Sequence, residues 1–303
     1  MPSFTIEDHR FPSGQDTCHA WLYRPDSEQK RPVIIMAHGL GGVKRAGLPN
    51  FAQRFSEAGY ACLVFDYRYF GESGGEPREW LDIPSQLADW DAAITYAKTL
   101  TAVDTNRIVL WGTSFGGGHV IVTAARHPEI TAAISQCPFT DGPSSVFAIN
   151  MVTNAKLAAL GVRDKISSWL GKEPVRVDLV GKPGTTALMT SEDSLQGYNA
   201  IKDSTGATDV PERITARIGL QLLTHQPGKW ARKVRCPILF NVCEHDSVAP
   251  AGPTLKYAVQ APRGIVNRYP YGHFDIYVGE AFETNIRDQL NFLSRYVPIS
   301  GPS

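Results

Sequence analysis

Four short runs of consecutive apolar residues, spaced by stretches of helical or turn character, organise the first half of the chain. They fall at residues 32 to 39, 61 to 68, 106 to 112 and 130 to 138. Each is apolar without alternation, the pattern of a strand covered on both faces. Between them the apolar spacing changes to helical. A helix is predicted near 48 to 58, stopping at Gly59, which suits the left-handed conformation that ends helices. Another is predicted over 84 to 100, with Leu87, Trp90, Ile94 and Ala97 at intervals of three and four. A third opens at a glycine-rich stretch after residue 112 and runs to about Arg126. Two further strands, at 4 to 10 and 18 to 24, precede this series. The alternation predicts an α/β fold, a mostly parallel sheet with helices on both faces.

The rhythm breaks between residues 141 and 228. That stretch holds no clear buried strand and reads as amphipathic helices, for example at 144 to 160 and 211 to 224. In the second, Pro211 suits a first helical position, and Ile214, Ile218 and Leu222 form one stripe. Afterwards the alternation resumes, with strands at 236 to 245 and 264 to 270 and helices at 250 to 261 and 280 to 296. The expected organisation is therefore a core of residues 1–140 and 229–303, with 141–228 inserted as a helical cap over one end of the sheet.

Composition narrows the partners. The 303 residues are 43% hydrophobic and 20% charged, enough apolar material to bury a whole sheet. Lysine plus arginine equals aspartate plus glutamate, 30 against 30, so no basic excess exists to hold nucleic acid. A small, neutral or weakly charged molecule is the expected partner, with neither nucleic acid nor a membrane expected. The first residues lack the basic and then apolar pattern of a signal peptide, and the longest aliphatic runs are too short to span a bilayer. Five scattered cysteines without a CxxC spacing predict reduced thiols and a cytoplasmic protein, with no structural metal.

Candidate chemistry centres on Gly112-Thr113-Ser114-Phe115-Gly116. A Gly-x-Ser-x-Gly match alone is weak, and its bland reading is a glycine-rich turn. Here it follows a buried strand and opens a helix, the setting in which a sharp turn exposes a serine hydroxyl. Gly112 and Gly116 would leave room for the neighbouring strand and helix.

A nucleophile needs a base, an orienting acid and donors for the developing oxyanion. His273, just past the last predicted strand, is the expected base; His9, His19, His119, His127, His225 and His245 fit less well. Asp246, after strand 236 to 243, is the expected acid, with Glu244 and Asp275 as rivals. The oxyanion donors are expected to be the backbone N–H groups of Phe115 and of Leu40, in the run His38 to Gly42, with His38 bracing that loop. Asp66 and Arg68 are expected to pair with each other. Tyr69 or Phe70, and Phe139, are candidates for substrate contact.

These motifs together resemble the α/β-hydrolase superfamily, in the branch related to dienelactone hydrolases and Xaa-Pro dipeptidyl-peptidase-like proteins, which includes fungal polyketide-transferring relatives. The resemblance covers most of the chain outside 141 to 228. It implies an eight-stranded sheet with a cap after the sixth strand, and neither metal nor organic cofactor. Serine at position 114 argues against the relatives that need a carboxylate nucleophile. Peptidase-like relatives commonly place a tyrosine side chain in the oxyanion hole; the backbone at Leu40 takes that place here, which argues against peptidase activity. The expected activity is hydrolysis of a carboxylic ester of a small to medium apolar substrate through an acyl-enzyme on Ser114. The alternative is an acyltransferase or thioesterase acting on a polyketide or carrier-bound acyl group. The small-molecule partner is then an ester or thioester. A homodimer is possible on the apolar sheet edges.

Overall fold

A computed structural model describes residues 3–207 and 210–299. Strands β1 (Phe4–Ser13) and β2 (Asp16–Pro25) form an antiparallel hairpin. There follow β3 (Arg31–Ala37), α1 (Leu48–Glu57), β4 (Ala61–Phe65), α2 (Ile83–Ala97), β5 (Val103–Thr113), α3 (Phe115–Arg126) and β6 (Ala132–Gln136). After the inserted segment come β10 (Ile238–Cys243), α8 (Ala251–Ala258), β11 (Gly264–Tyr269) and α9 (Gly279–Tyr296). The eight strands form one sheet in the order β1-β2-β4-β3-β5-β6-β10-β11. Every pairing from β4 to β11 is parallel.

The continuous apolar runs are explained by this arrangement. Central strands β3, β4, β5, β6 and β10 are covered on both faces, and their apolar side chains are almost fully buried. Parallel connection also brings the carboxyl ends of β3, β5, β10 and β11 to one edge of the sheet. Register sets that edge: Ala37 lies beside Gly112, Thr113 beside Gln136, and Cys243 beside Tyr269.

The inserted segment differs from its sequence pattern. It contains α4 (Gly142–Phe147), α5 (Met151–Trp169), α6 (Ser194–Ser204) and α7 (Ile218–Leu222), but also a three-stranded sheet. Strand β7 (Arg176–Val180) lies between β8 (Ala187–Met189) and β9 (Arg213–Thr215). The helix expected over 211 to 224 is therefore β9 followed by the single turn of α7. Ile214 and Ile218 are both fully buried, so four-residue spacing arose across a strand and a helix. Strands of three to five residues are too short to show a period of two. The helix expected over 144 to 160 is also broken, because Asn150 leaves the helical conformation and its side chain caps Val152 N–H at 2.8 Å.

Among the described residues no helix is long and apolar enough to cross a membrane. All five cysteines are buried and unpaired.

Candidate active site

Ser114 sits at the turn from β5 into α3 with φ 55° and ψ −119°, a conformation that L-residues rarely adopt. Three contacts hold it there. Its N–H donates to Gln136 O at 2.9 Å, and its carbonyl accepts from the N–H of Phe139 at 2.9 Å and of Gly118 at 3.2 Å. The glycines are needed for space. A Cβ at Gly112 would lie 2.3 Å from Gly116 O, and one at Gly116 would lie 2.4 Å from His38 O. Both obstacles are backbone, so neither can move aside.

The loop after β11 brings His273 to the serine. Its Nε2 lies 3.0 Å from Ser114 Oγ, and its Nδ1 lies 2.6 Å from Asp246 Oδ2, on the loop after β10. A carboxylate accepts only, so Nδ1 carries the proton and Nε2 presents a lone pair to the serine hydroxyl. The second oxygen of Asp246 accepts the N–H groups of Val248 (2.9 Å) and Ala249 (2.6 Å), which fixes the plane of the carboxylate. Both side chains of this pair are about 3% exposed or less, so water competes little for the contact.

The two residues expected to supply backbone donors border the same cavity as Ser114. Phe115 is the first residue of α3, whose leading N–H groups have no intrahelical acceptor. Leu40 lies on the loop after β3, and both residues line the cavity beside Ser114. The Leu40 loop is held from two sides. A Cβ at Gly39 would lie 2.9 Å from Ser114 Cβ, and Gly41, with φ +63°, is covered by Leu179 of β7 and Ile214 of β9. The small sheet of the insertion thus buttresses this loop. On the other side, Lys44 donates from its backbone (2.6 Å) and its ammonium (2.9 Å) to Asp66. His38 donates Nδ1–H to Gly39 O at 3.0 Å, and burial holds its pKa below the ordinary value, so it is a neutral brace.

Ser114 opens on two chambers. A cavity of about 270 Å³ lies under the insertion, lined by Phe139, Val146, Ile149, Leu188, Leu222 and Val248. A chamber of about 60 Å³ lies on the opposite side, toward Leu48, Tyr198, Ile201 and Phe274. Leu40, Ser114 and Met189 border both.

This arrangement agrees with the family comparison, in which the model described as serine aminopeptidase, S33, matches residues 28–273. The chain belongs to the S33 family of α/β hydrolases. It is 52% identical to the quorum-quenching protein AidA of Acinetobacter baumannii, over 96% of this chain and 95% of the relative. It is 27% identical to the polyketide transferase ATR5 of Stachybotrys chlorohalonatus, over 97% and 99% of the two chains. The crystal structure of the α/β hydrolase GrgF from Penicillium superposes with a TM-score of 0.82 at 26% identity, covering 97% of this chain and all of that one. The resemblance to α/β hydrolases with fungal polyketide-transferring relatives is borne out.

In this S33 member the rival carboxylates point elsewhere. Glu244 pairs with Arg268 at the surface (2.6 Å), and Asp275 accepts the N–H of Gly272 at 2.7 Å. His119 lies buried against Gln86 (2.9 Å), and His225 stacks parallel to Phe139 with ring centroids 6.0 Å apart, in the wall behind the cavity.

Two expectations need correction. Asp66 and Arg68 do not pair with each other, because Arg68 bonds to Asp89 (2.7 Å) and Asp66 to Lys44. Residues two apart share a side only while a strand continues, and β4 ends at Phe65, so the two side chains diverged to different partners. Tyr69 does not reach the cavity either. It is buried with φ 72°, its ring against Trp80 at 4.9 Å, and Phe70 is likewise in the core. Phe139 does line the cavity. The residues missed are those of the insertion, above all Leu188 and Met189. Their only signal was an apolar triplet, Ala187 to Met189, between turn residues.

Proposed function

We propose that this protein hydrolyses a carboxylic ester of a small to medium apolar substrate through an acyl-enzyme on Ser114. The observation that carries the reading is the continuous relay from Asp246 through His273 to a strained serine hydroxyl, 2.6 and 3.0 Å per step. His273 Nε2 takes the hydroxyl proton as Oγ attacks the ester carbonyl. The oxyanion gathers in front of the Leu40 and Phe115 N–H groups. The C–O bond to the alcohol then breaks, and His273 returns its proton to the leaving oxygen. Water enters by the same route: it gives a proton to His273 and adds to the acyl carbon, and His273 returns that proton to Ser114 Oγ as the C–Oγ bond breaks and the acid leaves.

The cavity favours a modest acyl group. At about 270 Å³ with a mainly apolar wall it sits at the small end of ligand sites. The relation to a protein named for quorum quenching supports a small signal molecule with a hydrolysable acyl linkage as the natural substrate. A second reading, transfer of the acyl group to an alcohol or amine, is favoured by full-length similarity to a polyketide transferase.

The test is hydrolysis of p-nitrophenyl esters from acetate to decanoate by the wild type and Ser114→Ala. Turnover of the shorter esters by the wild type alone is expected, and no turnover by either protein would overturn the reading. Product partition at rising alcohol concentration then separates hydrolysis from transfer.

A further inference from the structure

Helix α5 turns its more apolar side to solvent. Met151, Ala155, Ala158, Val162, Ile166 and Trp169 follow one another at intervals of three and four, and all are exposed. Met151 is 83% and Trp169 85% accessible. The buried residues of the inward side are Thr153, Leu157, Gly161 and Asp164, with Leu160 half-buried against the core. A surface helix ordinarily does the reverse.

The orientation is locked by chemistry. Asp164 is fully buried and takes the Arg217 guanidinium at two points, 2.6 and 3.0 Å. It also accepts the backbone N–H groups of Val175 (2.8 Å) and Arg217 (3.0 Å). Rolling the stripe inward would break all four bonds and strand the arginine. The apolar face is therefore outward by construction.

Charge says what covers it. The only carboxylate on α5 is the buried Asp164, whereas Lys156, Arg163 and Lys165 are all exposed. On the helical wheel Lys156 and Arg163 flank one side of the stripe and Lys165 the other. An apolar stripe with an exposed tryptophan, bordered by cations, matches the interfacial region of an anionic bilayer. A second copy fits less well. Two-fold pairing through the stripe would set the Lys156 and Arg163 edge against itself, and six residues fall short of the roughly 20–30 per side of a stable interface.

We infer that α5 is a docking surface for anionic lipid. The stripe is continuous with the rim of the cavity: Val146, Ala148, Ile149 and Asn150 line it, while Phe147 between them is 76% exposed. Docking would set the cavity mouth at the membrane surface, where apolar esters concentrate. That last consequence rests on the esterase reading; the surface itself does not.

Co-sedimentation with vesicles of phosphatidylcholine alone and of phosphatidylcholine with phosphatidylglycerol tests the inference. The wild type should partition onto the mixed vesicles and be released by salt. Charge reversal by Lys156→Glu, Arg163→Glu and Lys165→Glu together should weaken that partitioning on the order of 100-fold. Ile166→Glu with Trp169→Glu should abolish it, and both sets should turn over soluble acetate esters as the wild type does. Ser114→Ala should bind vesicles normally, which separates failure of the surface from failure of the esterase reading. Equal binding to both vesicle types, or none, overturns the inference. So does a wild-type dimer that Ile166→Glu with Trp169→Glu converts to monomer in sedimentation velocity, since the stripe would then pair copies of the chain.

Discussion

The turn that carries Ser114 and the exposed loops of the segment inserted above it are built to different tolerances, and their glycines show it. At Gly112 and Gly116 an added Cβ would lie within 2.4 Å of backbone, whereas at Gly171, Gly184 and Gly206 nothing lies within 4 Å. The edge is assembled from long parallel strands whose registers fix several loops at once. The insertion is assembled from strands of three to five residues and separate helices. The reacting groups belong to the sheet edge, and most of the cavity wall belongs to the insertion, whose exposed loops can change at little cost. The two are joined at many places. One is the contact of Leu179 and Ile214 with Gly41, and another is the 2.7 Å bond from Ser247, beside Asp246, to Asp193 of the insertion.

The strongest way to sharpen this contrast is to remove chemistry without disturbing structure. Ser114→Ala should lower kcat by about 10⁶-fold, with thermal unfolding unchanged, since only Oγ is lost. Asp246→Asn should lower it by about 10⁴-fold by offering His273 a donor and the wrong tautomer. A loss of activity matched by a loss of melting temperature would mean these residues are structural.

The next test is steric. Gly116→Ala must push against His38 O and should cost about 3 kcal/mol of stability. Gly184→Ala, in open space with φ +83°, should cost about 1 kcal/mol through backbone strain alone. Equal costs in chemical denaturation would erase the distinction between the two regions.

Acid should act on the junction behind the cavity. Burial lowers the pKa of His225 to about 4, and lowers that of His119 well below its ordinary value. The unfolded chain, with histidine near 6.5, binds these protons while the folded chain does not. Stability should therefore fall as pH drops from 6.5 towards 4, with His225 contributing about 3 kcal/mol. His225→Phe should flatten that part of the pH–stability curve, and an unchanged slope would count against its burial.

The smallest effect concerns specificity. Phe139→Ala enlarges the cavity and should move the preferred p-nitrophenyl ester to a longer chain. It should lower kcat/KM for the shortest substrates by about 10-fold. An unmoved optimum would place the acyl group in the other chamber.

Much of the sheet and the serine were legible because their causes are local. Continuous apolar runs mark strands covered on both faces, and a serine between glycines at a strand-to-helix junction specifies its own turn. The choice among Asp246, Glu244 and Asp275 was not local. It depends on β10 pairing with β11 so that Cys243 meets Tyr269 and the two following loops face each other. Tyr69 was misjudged for a related reason: an aromatic in a loop near the site reads the same whether it faces the cavity or, as here, Trp80.

Composition and periodicity by themselves determined the α/β class, the order of the long elements, the break near residue 141 and the nucleophile candidate. Each of those follows from interactions within about ten residues of chain. Tertiary structure alone decided which carboxylate reaches His273, where Asp66 and Arg68 find their partners, and that β7, β8 and β9 form a sheet over the Leu40 loop. It also decided that α5 faces outward with its apolar side, because one buried carboxylate outweighs the pattern of the helix that carries it.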